Sequence, residues 1–193
     1  MSDMFDFGDG PVPAHRHVNG GGWVAETAYV SSSARVGPAA QIYGNAQVYG
    51  NARVYGNAQV YGDARVYGDA RVYGNARVYG NAQVSGNTWV YGNAQVYGYA
   101  RVYGNAQVYD NAWVSGNAWV YGNAWVCGIR RSDGYFFSAF YCQDGLYRVA
   151  AGCRYFTWAE ADEHWGNPKY RSLLLAKETR IILALLKVQT GQS

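Results

Sequence analysis

At 193 residues with a formal charge of +3 and 15% charged side chains, the chain has room for one repeat domain and a small second unit. The charge is too mild to signal a nucleic-acid binder and has the wrong sign for a DNA mimic. The chain has no apolar run of eighteen residues and opens on an acidic "MSDMFDFGDG", so neither a membrane span nor a signal peptide is expected; three cysteines that cannot all pair (Cys127, Cys142, Cys153) point to a reducing, cytoplasmic setting.

In chain order, residues 1–22 precede a periodic region and are expected to lie over its first coil, because an uncovered solenoid end grows by edge pairing. From residue 23 to 128 a six-residue unit repeats without insertion: an aliphatic residue falls at Val24, Val30, Val36, Ile42, Val48 and every sixth position to Val126. Two residues before each stands a small side chain, nearly always Ala, with Thr88 the odd one. Alternation puts Ala and Val on one face of a short strand. Two inward residues are too few for a free-standing hairpin. Helix is excluded, since Gly in every second turn would cost roughly 1 kcal/mol each. Gly-Asn supplies the corners, Gly because positive φ is free of steric cost and Asn because it best tolerates the left-handed region.

The unit V-Y-G-N-A-Q/R resembles the hexapeptide repeat of left-handed parallel β-helices, in which three hexapeptides close one triangular coil. The resemblance implies an all-β solenoid of about six coils, each roughly 4.8 Å high, hence a prism about 29 Å long. The left hand of the coil comes from that resemblance. The segment "PVPAHRHVNGGGWV" and the C-terminal tail are similar to those of phage and prophage hexapeptide-repeat proteins, a group with no established activity. If the chain is phage-encoded, the host cytoplasm is the expected location.

Residues 129–193 lose the period and read as a small α+β unit docked on the last coil, since about 65 residues are marginal for folding alone. "SDGYFFSAFY" and "LYRVAAGCRYF" read as strands around a turn at Gln143-Asp144-Gly145. Thr157 to Glu160 fits a capping box for a short helix ending near Trp165, and a second helix is expected from about Tyr170 to Val188. On its wheel Val188, Ile181, Leu174 and Leu185 form one apolar sector, and Ile182, Leu175, Leu186 and Leu183 form another, with Glu178 between them. Together they span about 220°, twice the stripe one domain needs. One sector is expected to cover local strands and the other to bind a second copy, with Leu175, Ile182 and Leu186 assigned to the interface and a trimer as the first expectation, from the β-helix families resembled.

The chemistry is sparse. Acyltransferases and γ-type carbonic anhydrases of the resembled fold depend on histidine, as general base or as zinc ligand. No coil holds a histidine, so no catalytic residue, metal or cofactor is assigned. His15 and His17 read either as a metal-binding pair or as backbone partners. Cys142, Cys153 and His164 read as a convergent site or, with no Cys-x-x-Cys element, as buried side chains. Cys127 has no charged neighbour to activate it.

Two surface features rise higher. Arg35, Arg53 and Arg71 recur eighteen residues apart, a column of like charges suited to a phosphate-bearing partner, or of solvated stems lying over tyrosines. Tyr55, Tyr73 and Trp89 accompany it. Tyrosines stack at the same spacing in three columns: Tyr43 to Tyr97, Tyr55 to Tyr109, and Tyr49, Tyr67, Tyr103 and Tyr121, this last broken by Ser85. They stiffen the ladder or form a ligand surface. Trp113, Trp119 and Trp125 are the outward residues of the last coil; they seat the tail or meet a partner. The expected role is a non-enzymatic binding platform holding a host protein or a phosphate-bearing small molecule, with a structural phage component and an acyltransferase as alternatives.

Overall fold

The computed structural model describes residues 3–141, 146–151, 154–170 and 172–190. Two N-terminal strands, β1 (Asp3–Asp6) and β2 (Pro11–Arg16), precede eighteen short strands β3–β20, which run from Trp23–Ala25 to Trp125–Cys127. These eighteen wind into a parallel β-solenoid of six turns with three faces. The first face runs from Trp23–Ala25 to Trp113–Val114, the second from Tyr29–Val30 to Trp119–Val120, and the third from Arg35–Val36 to Trp125–Cys127. Each strand pairs in register with the strand eighteen residues away, as Val54 with Val72 and Val72 with Val90.

That register explains the repeat. Every valine from Val36 to Val108 at the sixth positions is fully buried, and so are the alanines two residues earlier. Each buried Val side chain is worth about 1.5–3 kcal/mol, and the small Ala side chain packs beside it inside the narrow prism. Thr88 takes one alanine position, with a buried hydroxyl that has no partner among the described residues. Glycine is required at the corners twice over. Gly74 has φ +73°, and a Cβ there would lie 3.0 Å from the backbone N and O of Gly92 in the next turn. At one corner Asp110 replaces glycine at φ +56°, a region aspartate visits at modest cost. The following Asn residues form ladders: Asn57, Asn75, Asn93 and Asn111 hand amide hydrogen bonds down one corner at 3.1–3.2 Å.

Both open ends are covered. β2 pairs antiparallel with β3 (Ala14 opposite Ala25), and β1 pairs with β2, so a hairpin extends the first face. The loop that follows crosses the third face, where Gly22 N–H donates to Val36 O at 2.9 Å and Val36 N–H to Asn19 O at 3.0 Å. Phe5 stacks on Trp23 at 4.4 Å and Phe7 on Tyr43 at 4.9 Å, so the hairpin continues the aromatic columns.

At the other end a four-stranded antiparallel sheet follows: β21 (Ile129–Arg130), β22 (Phe136–Tyr141), β23 (Tyr147–Ala151) and β24 (Arg154–Phe156). β22 lies across all three strands of the last turn, and Phe140 and Ala150 join the Val/Ala core of the prism. The opposite side of this sheet, Phe137, Ala139, Val149 and Ala151, packs on Ala161, Trp165, Ile182, Leu183 and Leu186. The stretch expected as one strand over residues 146–156 is two, paired antiparallel with Ala151 opposite Arg154. The expected turn at Gln143–Gly145 lies outside the described residues. Helix α1 (Trp158–Ala161) starts on the Thr157 capping box and continues as a π-helical turn through Gly166. Helix α2 runs Leu173–Thr190, three residues later at its start than the sequence suggests.

Candidate functional site

On the third face the inward valines leave the residue before each pointing to solvent. Register then sets Arg35 beside Arg53, Arg53 beside Arg71, and Arg71 beside Trp89, continuing through Gln107 to Trp125. Among the described residues none of the three arginines has a carboxylate ion-pair partner. Arg71 places its guanidinium 5.1 Å from the Trp89 ring centre, a cation–π contact. Arg35 and Arg53 have exposed side chains that reach into solvent.

Alongside runs the tyrosine column of the same face. Tyr55 and Tyr73 stack at 4.9 Å within 2° of parallel, and Tyr73 and Tyr91 at 5.0 Å. Tyr55 and Trp89 are each 37% exposed, enough to offer a ring edge to a ligand. Burial, aided by Tyr55 and Tyr91, pushes the Tyr73 phenol up from its usual value. On the first face burial pushes Tyr43 and Tyr79 up to about 12. These phenols are therefore neutral donors: Tyr79 Oη–H donates to Gln95 Oε1 at 3.0 Å and Tyr91 Oη–H to Gln107 Oε1 at 3.3 Å. Arginine, tyrosine and tryptophan thus lie side by side in one cationic, aromatic strip.

A second feature escaped sequence reasoning. The Asn57–Asn75–Asn93 ladder and the outward residues Gln59, Arg77 and Gln95 enclose a polar groove at the corner of the third and first faces. Its signal was present, as two columns adjacent in the repeat, but the corner angle that brings them together is a property of the coil.

The tryptophans of the last turn stay apart, one on each face. Trp125 is 61% exposed, whereas Trp113 and Trp119 are half-buried. Trp113 lies beside the tail, its backbone N–H donating to Ser138 Oγ at 3.3 Å. Trp119 receives the Arg101 guanidinium at 5.4 Å and meets Tyr103 edge-on at 6.4 Å.

Helix α2 requires a correction. Ile182 and Leu186 are buried against their own sheet and Leu175 is half-buried, so they are not a free interface. The other sector faces out, with Leu174 73%, Ile181 63% and Val188 80% exposed. Glu178, between the sectors, ties the helix to the coil exit by accepting from Ser132 N and Ser132 Oγ at 2.7 and 2.6 Å.

His15 and His17 do not converge. His15 Nδ1 lies 3.0 Å from Glu26 Oε1, while buried His17 Nδ1 accepts from the Asn19 backbone N–H at 3.3 Å. His164 stacks on Phe156 at 5.1 Å, Cys127 is buried, and Cys142 and Cys153 lie outside the described residues. Among the described residues no three metal-ligating side chains cluster, and no helix is long and apolar enough to cross a membrane.

Compared with known families, the repeats match the one described as YdcK beta solenoid repeat, over residues 46–62, 58–72, 70–86, 94–110, 100–116, 106–122 and 112–128. Each match spans close to one turn of the prism, in keeping with the observed coil. No curated protein and no solved structure matches the chain.

Proposed function

We propose that this β-solenoid protein is a non-enzymatic binding platform of the phage or prophage type, which holds a host protein or a phosphate-bearing small molecule on its third face and so interferes with a host process. The observation that carries the reading is the pairing of Arg35 with Arg53 and of Arg53 with Arg71, without carboxylate partners. Like charges directly opposed on a ladder are unfavourable. An anion seated between them removes the repulsion, and Tyr55, Tyr73 and Trp89 beside them supply flat apolar contact. Removing Arg53 tests it: Arg53→Gln leaves stability within about 0.5 kcal/mol but weakens capture of a phosphate-bearing ligand and lowers its salt dependence. Mass spectrometry of small molecules and proteins retained by wild-type protein from infected cells supplies the ligand. Equal retention by Arg53→Gln at two salt concentrations removes the column from the site.

A structural phage component is the second reading, favoured by tyrosine and asparagine ladders that stiffen the rod along its length regardless of the arginines. It predicts copurification with particles instead of ligand retention. In either role we propose self-association through the exposed α2 stripe. Leu174, Ile181, Leu185 and Val188 follow a heptad-like spacing, which suits a second helix of the same chain.

A further inference from the structure

The second face has a gap. Its tyrosine column runs Tyr49, Tyr67, then Ser85, then Tyr103 and Tyr121. Tyr49 and Tyr67 stack at 5.0 Å, and Tyr103 and Tyr121 at 5.4 Å. Between Tyr67 and Tyr103 the column skips one ring, so two aromatic faces look at each other across two turns, about 9.6 Å along the axis. The Ser85 backbone remains in the ladder, donating to Val102 O at 2.8 Å, so the coil is continuous and only the ring is missing. What remains is a cavity of about 270 Å³ lined by Tyr67, Gln83, Ser85, Arg101, Tyr103 and Trp119, with Val102 at its floor.

We infer that this cavity is a stacking slot for one flat heteroaromatic ring carrying a negative charge, a nucleoside monophosphate being the probe that fits. The size follows from the column: one ring was removed, so one ring fits, in contact with both tyrosine faces at about 3.5–4 Å. Offset stacking on each side is the geometry the neighbouring tyrosines already adopt. The edge chemistry separates a base from a hydrocarbon ring, because the Gln83 amide and Ser85 hydroxyl offer both donors and acceptors. Arg101 is the charged group of the lining and has no carboxylate ion-pair partner among the described residues. Held over Trp119 at 5.4 Å, it waits beside the slot for a phosphate. An aromatic side chain of a protein partner would use the two rings but leave Gln83 and Arg101 unused. The slot is on a different face from Arg35, Arg53 and Arg71, and it stands whether or not that column binds.

The repeat itself supplies the decisive variant, since Ser85→Tyr restores the residue found at this position in other turns and fills the slot without disturbing the coil. Binding of adenosine monophosphate, adenosine and inorganic phosphate to the full chain is measured by titration calorimetry and tyrosine fluorescence. Wild type binds adenosine monophosphate more tightly than adenosine, and phosphate alone binds weakest. Ser85→Tyr weakens adenosine monophosphate roughly tenfold or more, the effect of losing base stacking, while its melting temperature stays the same or rises. Arg101→Gln lowers the affinity for adenosine monophosphate to that for adenosine. Arg53→Gln, on the other face, leaves unchanged the part of adenosine monophosphate binding that Ser85→Tyr removes and lowers only any binding that survives in Ser85→Tyr, which keeps this test separate from that of the arginine column. Undiminished binding by Ser85→Tyr, no binding of either adenosine compound by wild type, or binding of an aromatic peptide in their place overturns the proposal.

Discussion

Arg131 joins the exit of the last coil to the middle of helix α2, its Nη1 donating to Thr179 Oγ1 at 2.8 Å. The guanidinium is buried, and its Nη2 lies 2.6 Å from Asp133 Oδ2. A buried cation left without its carboxylate is strongly destabilising, so Asp133→Ala should cost about 3 kcal/mol in urea unfolding of the tail. The hydrogen bond from Arg131 holds the Asp133 carboxyl below its usual value. Because the folded-state value is depressed, this stabilisation is present above the ordinary carboxylate range and is lost as pH falls through the lowered value. Tail unfolding followed by tryptophan fluorescence should therefore steepen on acidification in wild type and flatten in Asp133→Asn.

The glycine corners give a sharper test of the coil. Gly74→Ala places a methyl 3.0 Å from Gly92 N and O at φ +73°, so it carries both a left-handed backbone and a clash with the next turn. The expected loss is about 2 kcal/mol or more, read from thermal or denaturant unfolding. Asp110→Gly relieves the strain at φ +56° and should leave stability unchanged or raise it. A tolerated Gly74→Ala would mean that the turns do not stack at this spacing.

The tyrosine columns should titrate late. Tyr43 and Tyr79 are raised to about 12, and Tyr109 also to about 12, by burial first and then by Cys127. A phenol with a raised folded-state value stabilises the fold fully below the unfolded value near 10; that contribution fades as pH climbs from 10 to 12, where the unfolded chain gives up its protons first. Tyrosinate absorbance should show a fraction ionising about two pH units above free tyrosine, with melting temperature falling over that interval. A single transition at the ordinary value would show that the rings are solvated.

Helix α2 separates its two sectors by experiment. Leu174→Glu with Ile181→Glu should reduce the oligomeric mass seen by light scattering while leaving thermal stability within about 1 kcal/mol, since both side chains are exposed. Ile182→Ala should instead cost about 2–4 kcal/mol by opening the core against Phe137 and Trp165. An unchanged mass in the double variant, or a wild-type monomer, would leave the stripe without a second copy.

Much of the coil can be read from one line of sequence because its contacts repeat at a single separation. Val54 meets Val72 and Gly74 meets Gly92 by the same offset, so the spacing that makes the strand also names its neighbour. The inward Val and Ala, the arginine column, the tyrosine ladders and the break at Ser85 all follow from that one number. The tail has no such rule. Residues 146–156 look like one apolar strand, and only the pairing of Ala151 with Arg154 divides them into two.

The choice between Ile181 and Ile182 shows what tertiary structure alone decides. Both belong to apolar sectors of α2, about 100° apart on the wheel, and both have the same side chain. Ile182 is buried because Glu178 holds Ser132 and Thr179 holds Arg131, which turns the helix so that Ile182 meets Phe137 and Trp165. Ile181 is left in solvent. Likewise Phe5 and Phe7 carry no periodic signal, yet the hairpin register sets them on Trp23 and Tyr43 and seals the first turn. Repetition made the prism legible in the sequence, whereas its two ends depend on strand pairings, ring stacks, apolar packing and hydrogen bonds between distant residues, which no local pattern encodes.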